Sequence, residues 1–276
     1  MRLNLSGRIG LCIVATVVIA AVVSFFWTPY DPIHAIPADR LQGSSLRHLM
    51  GTDRYGRDVF SQMMAGSQIA LLVGVVAVGI GAAIGTPLGI LAGMSRGRVE
   101  GLIMRLTDVL LAFPALLLAI VTGAIWGSST LTAMVAIGIA SVPGFTRITR
   151  SGTLQVMSKD YILAARDAHL PAWLIAIKHV LPNIASMLIV QASVSFALAI
   201  LAEAALSFLG LGTPPPEPSW GRLLQNAQSS LASAPMLAFW PGATIALTVL
   251  GFNLLGDSLR DSVDPKSRRA MKVEAL

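Results

Sequence analysis

Six long runs of apolar residues dominate this chain, at positions 9–27, 69–93, 107–125, 129–145, 184–206 and 236–255. Crossing a hydrocarbon core takes about 20 such residues in an α-helix, and only the run at 129–145 is short of that. The pattern predicts an all-α polytopic membrane protein with six transmembrane helices. Between the fourth and fifth runs lies a dense polar stretch, residues 160–183, DYILAARDAHLPAWLIAIKHVLPN. It is the one internal segment to combine charges, a helical face of small residues and two prolines. A partner outside the membrane could grip it.

Composition agrees with the pattern. Hydrophobic residues make up 54% of the 276 and charged residues 12%, against about 25% charged in a soluble domain. Cys12 is the only cysteine, which forbids an intrachain disulfide and argues against metal–thiolate sites. Arg2 and Arg8 before the first run could open a signal peptide. The run is long for an h-region and no clean small-x-small site follows, so an uncleaved first helix is expected.

Charge sets the orientation. Of the 20 basic residues, 15 fall on the side that holds the N-terminus: Arg2, Arg8, Arg96, Arg98, Arg105, Arg147, Arg150, Lys159, Arg166, Lys178, Arg260, Lys266, Arg268, Arg269 and Lys272. Arg40, Arg47, Arg54, Arg57 and Arg222 fall on the other. The positive-inside rule then puts both termini and the 160–183 stretch in the cytoplasm. The net charge of +6 reflects this asymmetry and is no argument for nucleic acid.

Within the second run Gly81, Gly85, Gly89 and Gly93 recur every fourth residue. Four residues advance about 400° in a helix, so the glycines form one slowly drifting stripe. Such a stripe predicts close approach of another helix, in this chain or in a second subunit. Asp108 and Glu203 fall near span ends, where interfacial water is expected to reach them. No acid or histidine sits at mid-membrane, as ion-coupled transport would require.

Two extracytoplasmic segments are long. In the first, Gly51 and Gly56 allow tight turns and Asp58 can cap a following helix. There Val59, Phe60, Met63 and Met64 share one face, which predicts a helix lying flat at the interface. Asp53 and Asp58 lack the ligand density of a calcium loop, so a structural turn is expected. In the second, the prolines of residues 209–221 predict a stiff, non-helical external lip.

In the polar stretch, Ser158 is expected to N-cap a short helix, with Asp160 in its first turn. Tyr161, Ala164, Ala165 and Ala168 recur at i, i+3, i+4 and i+7, a narrow face suited to a protein groove. Arg166 and Asp167 point elsewhere. Pro171 is expected to stop this helix and begin a second one over 172–180, which Pro182 ends. The four lysines follow Ser158, Ile177, Pro265 and Met271, so none completes the Gly-Lys-Ser/Thr of a phosphate-binding loop. The histidines (His34, His48, His169 and His179) are scattered and no G-x-S-x-G is present. No catalytic residue and no metal ligand is assigned, and the chain is read as not an enzyme.

The polar stretch resembles the cytoplasmic signature loop of ATP-binding-cassette (ABC) importer permeases, with Ala164-Ala165 and His179-Val-Leu-Pro-Asn183 in place. Three more segments are similar to the second permease subunit of dipeptide and oligopeptide importers: HLMGTDRYGRDVFSQMMAG at 48–66, FLGLGTPPPEPSWG at 208–221 and FNLLGDSLRDSVDPK at 252–266. Leu163 stands where many relatives have glutamate, and His169 where the family usually has glycine.

The resemblance implies the MetI-like fold of a type I ABC importer permease. Residues 1–66 would form the first helix and an extracytoplasmic segment. Residues 67–257 would form the core with its coupling loop at 146–183, and 258–276 a cytoplasmic tail. It implies as partners a homologous second permease, two cytoplasmic ATPases that carry ATP and Mg, an extracytoplasmic solute-binding protein and membrane lipid, with no cofactor on this chain. Asp160, Tyr161, Ala164, Ala165, Arg166, Ala168 and His169 would couple to an ATPase. Asp257, Arg260 and Asp264 are expected to cap and salt-bridge the last helix. Nickel, glutathione or opine import are alternatives to peptide. From another class, a secondary transporter or a channel is the rival reading.

Overall fold

The computed structural model describes residues 4–95 and 97–263. Ten α-helices among the described residues follow in order: α1 Leu5–Ser24, α2 Val59–Ser95, α3 Gly97–Ala112, α4 Ala115–Trp126, α5 Thr130–Met157, α6 Asp160–Asp167, α7 Ala172–Ile175, α8 Leu181–Phe208, α9 Trp220–Ala227 and α10 Met236–Val263. Among the described residues there is no strand beyond one isolated bridge, Thr52 to Asp58. Five stretches among the described residues are each long and apolar enough to cross a membrane, and α3 with α4 makes a sixth, bent by 82°. The bend falls at Phe113-Pro114, where the proline ring pushes its predecessor out of helical geometry. The third span is therefore two helices and not the single run expected.

The fourth span is far longer than its apolar core. α5 continues through Arg147 and Arg150 to Met157, so the connector to the fifth span begins only at Ser158. Arg150 pairs with Glu100 of α3, its Nε donating at 2.7 Å, and Arg147 Nη2 reaches Asp108 Oδ1 at 2.6 Å. These pairs fasten the inner ends of α3 and α5, so the polar residues that looked like loop are helix.

The glycine stripe lies against α5 of the same chain. A Cβ added at Gly81 would sit 2.8 Å from Ser141 Cβ, at Gly85 2.6 Å from Phe145 Cβ, at Gly89 2.5 Å from Thr149 Cβ, and at Gly93 2.6 Å from Thr153 Cβ. Real Cβ atoms do not approach below about 3 Å, so each glycine is required. The partner positions 141, 145, 149 and 153 are also spaced by four, and two rows of one pitch interlock.

A smaller version joins α1 to α10. A Cβ at Gly10 would meet the carbonyl of Gly251 at 2.7 Å, and one at Gly7 would meet Ser258 Oγ at 2.2 Å. On α10, Asp257 and Arg260 lie on the exposed side, while Asp264 falls outside the described residues.

No helix lies flat before the second span. α2 begins at Val59 and is continuous to Ser95, and Val59, Met63 and Met64 are buried inside the protein. Their apolar face, read as lipid-seeking, is covered instead by α9 and the chain around it.

Candidate coupling site and outer lip

At the end of the bundle rich in Arg and Lys, α6 hangs below α5 and α8. Lys159 stands at its N-cap with no side-chain cap, and Ser158 instead ends α5, its Oγ donating to the carbonyl of Gln155 at 2.9 Å. Ile162 and Ala165 are buried with Val156, Met157, Ile175, Val180 and Ile184. This thin core fixes which way α6 faces. Tyr161, Ala164 and Ala168 share the outward side with Leu163, Arg166, Asp167 and His169, and Asp160 sits in the exposed first turn. Ala165 does not join them. It is turned inward by the spacing that pairs it with Ile162.

The end of α6 explains position 169. His169 has φ +56°, its N–H donates to the carbonyl of Arg166 at 2.8 Å, and Leu170 N–H returns to Ala165 at 3.1 Å. Those two bonds are a Schellman cap, whose left-handed residue is usually glycine. Here a histidine holds that conformation with its Nδ1 at 2.8 Å from the carbonyl of Asp167. The turn keeps its shape, and Leu170 tucks against the thin core.

Beyond Pro171 the chain does not stop at Pro182. α7 runs through a π-helical turn at Ala176–Val180 directly into α8, giving one helical stretch Ala172–Phe208. The wide turn accommodates the proline ring, and Asn183 Nδ2 donates to the carbonyl of His179 at 2.6 Å. Trp173 and Ile177 project outward here, 65% and 56% exposed. With Leu163 and Tyr161 they add apolar surface that the small-residue pattern alone did not reveal. The signal was available: a tryptophan two residues after a proline in a polar connector.

The opposite end is built differently. Asp58 caps α2, accepting from Ser61 N–H at 2.8 Å and from Ser61 Oγ at 2.7 Å, and also faces His48 Nδ1 at 2.9 Å. Gly56 has φ +81°, and a Cβ there would sit 1.9 Å from the carbonyl of Ile36. Asp53 accepts from Tyr55 N–H and Arg57 N–H and pairs with the Arg57 guanidinium at 2.7 Å, so it closes a turn. Among the described residues no group of three or more His, Cys, Asp or Glu could hold a metal.

The proline lip leads into α9. Ser219 caps it, Trp220 is buried and donates Nε1–H to the carbonyl of Met63 at 3.0 Å, and Gly221 lies on the α8 backbone. A Cβ on Gly221 would fall 2.1 Å from the carbonyl of Ala204. Glu203, expected within reach of interfacial water, is 1% exposed. Ser207 Oγ donates to it at 2.6 Å and Thr213 Oγ1 at 3.4 Å, with Ser219 a further partner. Burying a carboxylate demands such partners. The lip supplies two of them, which sequence position could not reveal.

The family model for the binding-protein-dependent transport system inner membrane component matches residues 85–269. This chain belongs to that family and is a multi-pass protein of the inner membrane. It is 42% identical over 271 residues to the glutathione transport system permease protein GsiD of Pectobacterium atrosepticum, covering 96% of this chain and 88% of that one. It is 40% identical to the dipeptide transport system permease protein DppC of Alkalihalophilus pseudofirmus, over 97% and 88%. To the di/tripeptide transport system permease protein DppC of Pseudomonas aeruginosa it is 42% identical, over 95% and 88%. A chain of the inward-facing MetNI methionine ABC transporter superposes with a TM-score of 0.62 at 18% identity, covering 74% of this chain and 96% of that one. The fold is thus the MetI-like fold of an ABC importer permease.

Proposed function

We propose that this chain is one of two permease subunits of an ATP-driven importer that moves di- and oligopeptides across the inner membrane by alternating access. ATP and Mg belong to two cytoplasmic ATPases, and an extracytoplasmic binding protein delivers the cargo. The carrying observation is α6: a short helix whose inward side is locked by Ile162 and Ala165 while Tyr161, Ala164 and Ala168 stand free. A rigid helix with a bare outer side transmits motion to whatever grips it. Asp160 and Arg166 lie at the two ends of that helix, where they would pair with charges of the ATPase groove. His169 holds the turn behind it.

The relatives named for dipeptides and tripeptides favour peptide cargo. Glutathione is the second reading, because a relative of equal identity is named for it. The deciding experiment is reconstitution with the partner permease, the two ATPases and the binding protein in liposomes. ATP hydrolysis is then screened with dipeptides, longer peptides, glutathione and Ni²⁺. Peptide-stimulated hydrolysis with peptide uptake is expected. Stimulation by Ni²⁺ alone, or uptake without ATP, overturns the reading.

A further inference from the structure

The outer end carries a cleft of about 350 Å³ between the 33–57 loop and the proline lip, lined by Arg54, Tyr55, Arg57, Glu217 and Arg222 among others. The guanidiniums of Arg54 and Arg57 lie over one Tyr55 ring, 4.7 Å and 5.0 Å from its centroid. Asp53 is spent on Arg57, which it pairs at 2.7 Å. Among the described residues neither Arg54 nor Arg222 has an ion pair.

Arg54 Nη1 donates only to Ser229 Oγ at 3.1 Å, and its Nε is buried with no acceptor. Arg222 Nη1 reaches the carbonyl of Thr213 at 3.4 Å. Burial, and then the charge of Arg57, hold the Arg222 guanidinium below its ordinary value. With Arg57 paired to Asp53, Arg54 and Arg222 are the guanidiniums left without an ion pair in a cleft that Glu217 also lines, and an incoming carboxylate would pair with them.

We propose that this cleft receives an aspartate or glutamate side chain of the extracytoplasmic binding protein, with Arg54 and Arg222 as its donors. The proposal rests on the importer reading above. Apart from Gln62 in the first turns of α2, the cleft is lined by segments outside the spanning helices, and its walls are stiffened by prolines and by the Gly56 turn. It is therefore preformed for a partner that stays outside rather than for a cargo that must travel between helices. Its lip is also tied to α8 through Glu203, so docking bears on the helix that leads to the coupling site.

In the reconstituted transporter, Arg54→Gln and Arg222→Gln are made singly, with Arg47→Gln, outside the cleft, as the control. ATP hydrolysis is titrated with peptide-loaded binding protein. Each cleft variant is expected to raise the half-saturating concentration of binding protein about tenfold and to flatten its dependence on salt, as loss of a steering charge does. Arg47→Gln leaves both unchanged. If Arg222→Gln fails to assemble, Arg54→Gln decides the matter, because its one hydrogen bond is to an exposed serine. Wild-type half-saturation in Arg54→Gln overturns the proposal. So does a change confined to the KM for peptide, which would assign the arginines to the carboxylate of the cargo. A wild-type complex that no loaded binding protein stimulates overturns the importer reading itself.

Discussion

The two polar ends of this molecule are built on opposite plans. At the outer end Trp220, His48, Asp58 and Glu203 are all buried, and Gly56 and Gly221 bring backbone against backbone. At the inner end α6 is held by two buried side chains, Ile162 and Ala165, and shows nearly everything else. The outer end keeps its own shape without help. The inner end leaves most of a short helix bare. A surface kept rigid by a minimal core, with Tyr161, Leu163, Trp173 and Ile177 left bare, is what the proposed ATPase docking would use.

The contrast can be broken at several points. Trp220→Ala should cost the most, about 3–5 kcal/mol, by emptying the joint between α9 and α2; a purified complex should lose its thermal transition at the outer end. An unchanged melting temperature would show that the lip is not structural. Gly89→Leu should follow, at about 3 kcal/mol, since overpacking drives α2 off α5. Loss of assembled protein from membranes is the measurement, and wild-type yield contradicts the seam.

The inner end separates two neighbouring alanines. Ala165→Trp should destabilise the connector by about 1–3 kcal/mol, because the ring must enter a closed core. Ala164→Trp should leave stability within about 0.5 kcal/mol yet abolish ATPase recruitment in a pull-down. Equal behaviour of the two would erase the distinction between inward and outward sides. The smallest effect is expected from His169→Gly. Relief of the left-handed strain should stabilise the turn by less than about 1 kcal/mol, seen as slower hydrogen exchange at Leu170.

Much of the architecture was legible in apolar length and glycine spacing, because lipid leaves a spanning chain little choice but helix. The stripe at Gly81, Gly85, Gly89 and Gly93 was visible; its mate was not, since Thr149 and Thr153 lie past the apolar part of α5. Hydropathy sees lipid contact, and helices do not end where lipid does. The same blindness hid the continuity through Pro182 and turned the start of α2 into an interfacial helix. At the coupling site, periodicity placed Ala165 with Ala164, because i, i+3 and i+4 all count as one side. Only Ile162 and the core it meets divide them. Glu203 was misjudged because its burial depends on a loop that returns from ten residues later in the chain.

The helical stretch Ala172–Phe208 runs for 37 residues, about 55 Å at 1.5 Å per residue. A hydrocarbon core is about 30 Å thick, so the stretch is longer than the core it crosses. One tip carries Glu203 and the lip, and the other carries the π turn beside α6. No hinge loop intervenes to absorb a displacement. Two occupants touching such a rod at opposite tips share one equilibrium. Whatever factor an outer ligand imposes on affinity at the inner tip, an inner ligand must impose in return. An ATPase locked onto α6 should therefore alter how tightly the outer face holds its visitor, even with no nucleotide turned over.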